Sequence, residues 1–214
     1  MANLITVGRI GLLFFGVTLL FRADFASLVS AAGVALVVVL ADGLDGWVAR
    51  ARGEASRFGA VFDIVGDRIV EAAYLICFAY LGVIPLWIPL LVLCRGFLVD
   101  GLRGLALERG QTAFGASTMM VSRLGRALTS SRTSRASYGA VKAAVFVVVP
   151  IALAIALPDA PAGSVAYQPA LLALGLLLAY AVAAFCLVRG LLVIHDARSL
   201  IWPARKHAGE HFNG

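Results

Sequence analysis

Residues 41–68 read ADGLDGWVARARGEASRFGAVFDIVGDR. The stretch carries four carboxylates, Asp42, Asp45, Asp63 and Asp67, at the facing ends of two otherwise apolar runs. An acid beside a hydrocarbon-spanning helix is costly, so it is read first as part of a functional site. Asp42 and Asp45 are three residues apart and Asp63 and Asp67 four apart, so each pair shares one helix face. Ala49 continues the first face and Gly59 precedes Asp63 by one turn. If the two runs pack antiparallel across the basic link between them, the pairs converge.

Working outward, the rest of the chain is apolar. Of 214 residues 61% are hydrophobic and only 14% charged, and mean hydropathy is +0.94. Soluble domains carry about 25% charged residues, so the composition points to an all-α integral membrane protein. A span needs about 20 apolar residues. Runs at about 4–21, 27–40, 58–81, 86–107, 136–157 and 170–194 predict six transmembrane helices in a single domain covering 1–214. The first run has no small-residue cleavage site and is expected to stay as a helix. Arg9 lies near its start, where it is expected to snorkel to the interface; Asn3, Thr6 and Arg9 share a face. VIPLWIP and PDAPAGSVAYQP read as tight turns, since proline interrupts helices.

Charge sets the orientation. Arg50, Arg52, Arg57, Arg109, Arg123, Arg126, Arg132 and Arg135 fall in the links after the second and fourth runs, and Arg198, Arg205 and Lys206 near the end. The opposite links hold Arg22 alone. Cytoplasmic loops are enriched in Lys and Arg, so both termini and the acid cluster are expected at the cytoplasmic face of the cell (inner) membrane. The formal charge of +6 is read as contact with anionic lipid or phosphorylated substrate, not nucleic acid. Cys77, Cys94 and Cys186 lie inside apolar runs without metal-ligand spacing and read as small buried hydrophobes.

Four hard oxygen donors at one locus repel unless cations neutralise them. Mg²⁺ or Mn²⁺ suits an all-carboxylate site that leaves room for phosphates, and two ions could clamp a phosphoryl group between attacking and leaving oxygens. Gly46, Ala49 and Gly59 leave space for a nucleotide, and Arg50 offers a forked donor. The bland alternative is that the acids pair with Arg50, Arg57 and Arg68 at the interface. A small cation transporter is the alternative from another class, but it predicts acids spread through the membrane depth and a repeat between halves.

The order Asp42-x-x-Asp45-Gly46-x-x-Ala49-Arg50, eight residues, Gly59-x-x-x-Asp63-x-x-x-Asp67 resembles the signature of the CDP-alcohol phosphatidyltransferase family at every fixed position. The resemblance implies transfer of a phosphatidyl group from CDP-diacylglycerol to a small alcohol acceptor with release of CMP. It makes Asp42, Asp45 and Asp63 metal ligands, and Asp67 the general base that also touches metal. Gly46, Ala49, Arg50 and Gly59 would border the nucleotide, and two copies would form a homodimer.

The acceptor is less defined. Asn3-x-x-Thr6-x-x-Arg9, and Arg95 followed by Arg103, look like phosphatidylglycerophosphate synthases, which implies glycerol 3-phosphate. Arg95, Arg132, Arg135, Lys142 and Arg189 are the candidates for its phosphate. The chain departs from those synthases at Gly96, where Glu is usual, and lacks their Gly-Lys-x-Lys-Thr segment. Arg68 directly after Asp67 is similar to the inositol-phosphate-using branch, so inositol phosphate or another alcohol is the alternative acceptor. The pattern of serine-using enzymes is not matched. Glu71 extends the Asp63/Asp67 face by one turn. Asp100 is expected to pair with Arg103 or Arg95, Gly101 and Gly104 to allow close helix packing, and His207 and His211 to lie in a solvated tail.

Overall fold

The computed structural model describes the backbone at residues 2–51, 57–108, 125, 128–129 and 131–201. Side chains are described at 4–42, 59, 61–106, 125, 128–129, 131 and 133–198. All regular structure among these residues is helical: α1 (Ala2–Leu20), α2 (Phe25–Ala51), α3 (Arg57–Tyr80), α4 (Trp87–Glu108), α5 (Arg132–Ala154) and α6 (Gln168–Ile201), with a 3-10 turn at Ser164–Tyr167 before α6. The segments 25–42, 133–154 and 164–198 are long and apolar enough to cross a membrane, and 4–20 is a shorter apolar helix.

The six expected runs each become a helix, but two helices outgrow their apolar cores. α2 continues past Leu40, through Asp42 and Asp45, to Ala51. At 1.5 Å per residue its 27 residues span about 40 Å, more than the ~30 Å of a hydrocarbon layer. The carboxylates therefore ride on a helix end long enough to stand clear of hydrocarbon. α6, at 34 residues, overshoots in the same way.

Local signals fix the helix ends. The Ser27 amide donates to Asp24 Oδ1 at 2.8 Å, an N-cap that satisfies an otherwise orphaned donor. Hydrogen bonds from the Ser27 side chain and backbone hold the Asp24 carboxyl below its ordinary range. The next free amide, that of Phe25, donates to Asp159 Oδ2 at 2.8 Å, so the loop before α6 is tied to the start of α2. Ser131 caps α5 by accepting from the Ser134 amide at 3.2 Å. Gly82 takes φ 73° in the turn after α3, a conformation that costs a residue with a Cβ.

The core gathers residues of all six helices around Tyr74, which stacks on Phe146 at 4.7 Å between ring centres. Gly16 admits the Tyr74 ring tip: a Cβ there would lie 2.9 Å from Tyr74 Oη. α1 packs on α2 and α3, α2 on α5, α5 on α6, and α4 on α6 and α3. A smaller cluster of Val99, Ala106, Val193 and Ala197 joins α4 to α6. In lipid such contacts hold by close packing, because there is no water to exclude. Large apolar side chains such as Phe14, Phe15, Leu90, Phe97 and Leu191 point outward, which suits hydrocarbon and not water.

Three expectations are corrected. Arg9 does not snorkel outward: it is 2% exposed and turns inward, because two carboxylates lie within its reach. Cys186 is buried as expected, but Cys77 is half-buried and Cys94 is exposed. A Cβ at Gly101 or Gly104 would meet nothing within 4 Å, so neither glycine serves close packing against the described residues.

Candidate active site

The carboxylates of α2 and α3 line a cavity of about 520 Å³ to which all six helices contribute. Asp42 comes from α2, and Asp63 and Asp67 from successive turns of α3. Arg9 of α1 joins the first two, with Nη2 2.6 Å from Asp42 Oδ1 and Nη1 3.3 Å from Asp63 Oδ1. A single guanidinium, planar and forked, thus spans acids from two helices.

Asp67 and Glu71 of α3 face Tyr138 and Lys142 of α5, and both pairs are i, i+4. Lys142 Nζ donates to Asp67 Oδ1 at 2.7 Å, and the Tyr138 hydroxyl donates to Glu71 Oε1. The two contacts cross, since Lys142 reaches back along α5 to Asp67 while Tyr138 reaches forward to Glu71. Beyond them Phe146 stacks on Tyr74, further along both helices. Glu71 is 0% exposed and Lys142 6%. Burying such charges is tolerable only when each is paired.

Glu71 also receives Arg68 Nη1 at 3.2 Å. Arg68 Nε reaches Asp100 Oδ2 at 3.4 Å, and Arg103 Nη1 lies 3.6 Å from Asp100 Oδ1. Asp100 therefore pairs with Arg103 as expected, and with Arg68 where Arg95 was the alternative. A chain of alternating charge runs from Tyr138 on α5 through α3 to α4.

The far end of the cavity is basic. Arg95, Arg135 and Arg189 line it. Arg189 is only 7% exposed and donates through Nη2 to the Thr129 carbonyl at 3.2 Å. The Nε atoms of Arg95 and Arg189 are buried without a hydrogen-bond partner. Among the described residues, no carboxylate is within ion-pairing distance of either side chain. Gly190 makes room for Arg95: a Cβ there would lie 2.8 Å from Arg95 Cγ. Among the described residues, seven cationic side chains line the cavity against three carboxylates, a balance that favours an anionic occupant.

Of the residues singled out from sequence, the structure brings Asp42, Asp63, Asp67, Arg95, Arg135, Lys142 and Arg189 to this one cavity. Gly59 stands half-buried one turn before Asp63. Asp45, Gly46, Ala49 and Arg50 lie in the last turns of α2, and Arg132 opens α5, but their side chains are outside the described residues, as are His207 and His211. The alternative pairing of the acids with interfacial arginines is not what Arg68 does, since it takes Glu71 and Asp100. Sequence reasoning missed Arg9 as an acid partner and Tyr138 altogether. The signal for Tyr138 was available: it lies one helical turn before Lys142, as Glu71 lies one turn after Asp67.

Among the described residues no group of three side chains forms a metal-binding cluster, and Asp45 is not among those searched. The donor chemistry nonetheless fits a divalent cation. Asp42 and Asp63 already converge on one shared cation, and hard carboxylate oxygens are the donors such ions take.

The profile of a family described as CDP-alcohol phosphatidyltransferase matches residues 1–188. A Treponema pallidum protein named "CDP-diacylglycerol--glycerol-3-phosphate 3-phosphatidyltransferase" is 36% identical over 99 residues, 45% of this chain and 45% of that protein. A Mycobacterium tuberculosis protein named "Putative cardiolipin synthase" is 34% identical over 99 residues, with the same 45% shares. Another from that organism, named "Probable phosphatidylglycerophosphate synthase", is 37% identical over 71 residues, 33% of this chain and 34% of that protein. The matched stretch spans less than half the length of these curated relatives.

Proposed function

The chain belongs to the CDP-alcohol phosphatidyltransferase family, and from that premise we propose that it transfers a phosphatidyl group from CDP-diacylglycerol to glycerol 3-phosphate, releasing CMP. The observation that carries the choice of a phosphorylated acceptor is the basic end of the cavity, where Arg95 and Arg189 each keep a buried Nε without a partner. Buried donors of that kind are costly and are satisfied by a phosphate, which a guanidinium grips with two parallel hydrogen bonds. The similarity to the Treponema pallidum protein supports the same acceptor.

In this reading the acceptor phosphate docks between Arg95 and Arg189, with Arg132 and Arg135 at the α5 entrance and Lys142 on the acid side. Its hydroxyl then points at Asp67. Asp67 takes the hydroxyl proton as the oxygen attacks the phosphatidyl phosphorus, and the bond from that phosphorus to CMP breaks. Asp42, Asp45, Asp63 and Asp67 are the proposed ligands of divalent metal, Mg²⁺ or Mn²⁺, as two ions. When bound, the metal would neutralise the diphosphate and the departing CMP. Gly46, Ala49, Arg50 and Gly59 border the nucleotide.

The proposed setting is a six-span membrane domain with both termini and the cavity at the cytoplasmic face. Three segments apolar enough to span support it, as does the sequence bias of Arg toward the links on one side. Exposed Tyr80, Trp87 and Tyr167 sit at the helix ends away from the cavity, where an aromatic belt is expected. A homodimer in the bilayer is part of the proposal, and crosslinking in native membranes tests it. A cation transporter is disfavoured, because seven cationic side chains line the cavity.

The test is direct. Purified protein is incubated with CDP-diacylglycerol and Mg²⁺, and with glycerol 3-phosphate, inositol 1-phosphate, inositol, serine or phosphatidylglycerol in turn. CMP release with glycerol 3-phosphate is the expected result. Release only with another acceptor reassigns the substrate, and none with any acceptor from folded protein overturns the reading.

A further inference from the structure

Tyr138 belongs to no signature and bears no charge, yet it touches both ends of the cavity. Its hydroxyl is fixed by Glu71, one turn along α3 from Asp67. Its ring centre lies 5.8 Å from Lys142 Nζ, the cation held on Asp67. The same ring centre lies 5.5 Å from Arg189 Cζ, the cation of the basic end. Phe185 meets the ring edge-on at 6.2 Å. The ring is thus the common neighbour of the group that holds the proposed base and the group that would hold the acceptor phosphate.

We propose that Tyr138 is a specificity-determining positioning residue that sets the span between the acceptor's attacking hydroxyl and its phosphate. The proposal rests on the transferase reading above. An acceptor is productive when its phosphate reaches Arg189 while its hydroxyl reaches Asp67, and the ring occupies the wall between those two points. Four contacts keep it there: the bond to Glu71, the edge of Phe185 and the two flanking cations. Glu71 is itself pinned by Arg68, so the ring cannot drift without giving up its bond to a fixed carboxylate. A short acceptor such as glycerol 3-phosphate bridges the span beside the ring, whereas a bulky one such as inositol 1-phosphate is crowded by it.

The experiment offers both acceptors together to one preparation and measures the ratio of the two lipid products, so that partial unfolding cancels. Wild-type protein should favour the glycerol product. Tyr138→Ala should lower that preference by about tenfold or more, with the KM for CDP-diacylglycerol unchanged. Tyr138→Phe, which keeps the ring but frees it from Glu71, should shift the ratio in the same direction by less. A product ratio unchanged in both variants overturns the proposal while leaving the transferase reading intact. Absence of lipid product from wild-type protein would instead overturn the transferase reading itself.

Discussion

Lys142 Nζ lies 2.7 Å from Asp67 Oδ1, an ion pair between α5 and α3 in which the lysine side chain is 8% exposed. An ammonium so buried depends on its partner, and the partner is the group proposed to take the acceptor proton. Stability and turnover therefore meet at one contact and can be separated by substitution.

Asp67→Asn leaves the buried Lys142 charge without its carboxylate. Because that carboxylate is 35% exposed, the cost should fall below the ~3–5 kcal/mol of a fully buried pair. Turnover should vanish as well. Adding Lys142→Met removes the stranded charge, so the double variant should recover a large part of the lost thermal stability in detergent and none of the activity. Equal melting temperatures for Asp67→Asn and the double variant would mean that the pair does not couple.

Arg9 makes a different prediction, because it neutralises two acids at once. Arg9→Gln leaves Asp42 and Asp63 facing each other with one cation fewer. The loss should be about 1 kcal/mol, modest because the two carboxylates are 42% and 44% exposed. In chelator the melting temperature should fall, and Mn²⁺ should restore it more in the variant than in wild-type protein. A Mn²⁺ response no larger than that of wild type would argue against the shared-cation site.

Asp24 gives a pH prediction away from the cavity. Its carboxyl is held below the ordinary value of 3.8, first by the Ser27 side chain and then by the Ser27 amide. A depressed folded value means that the cap contributes stability above the unfolded value and loses it as pH falls through the folded one. Below about pH 4, wild-type protein should therefore lose a part of its stability that Asp24→Ala lacks already at neutral pH. Melting curves at pH 7 and pH 3 should show the gap between the two proteins closing.

The sequence was most legible where one residue type repeats with helical or apolar period. The six apolar runs became six helices, and the spacing of Asp42, Asp63 and Asp67 brought them to one cavity. It was least legible where a contact depends on the register between helices. Nothing in the α5 sequence says that Lys142 meets Asp67 and not a phosphate, because that depends on how α5 slides along α3. Arg9 looked like an interfacial arginine because one chain cannot show that its helix end abuts two acids. Tyr138 was passed over for a related reason: its helical spacing from Lys142 was there to see, but an uncharged ring gains a role only from the cations that flank it.

Gly190 shows how a residue without a side chain can tune the basic end. The stem of Arg95 passes over it so closely that an added Cβ would sit 2.8 Å from Arg95 Cγ, and real contacts do not come that close. Gly190→Ala must therefore push the Arg95 stem aside, while in the middle of a helix alanine is itself favoured over glycine by about 1 kcal/mol. The variant should fold at least as readily as wild type, yet hold its guanidinium in the wrong place. If Arg95 binds the acceptor phosphate, the KM for glycerol 3-phosphate should rise by about tenfold, the scale of one weakened charged hydrogen bond. The KM for CDP-diacylglycerol should stay unchanged, since no described carboxylate is within ion-pairing distance of Arg95. Arg95→Ala should reproduce the same split more severely, and the two substitutions combined should be no worse than Arg95→Ala alone. Additive effects in the double variant would show that Gly190 acts through something other than Arg95.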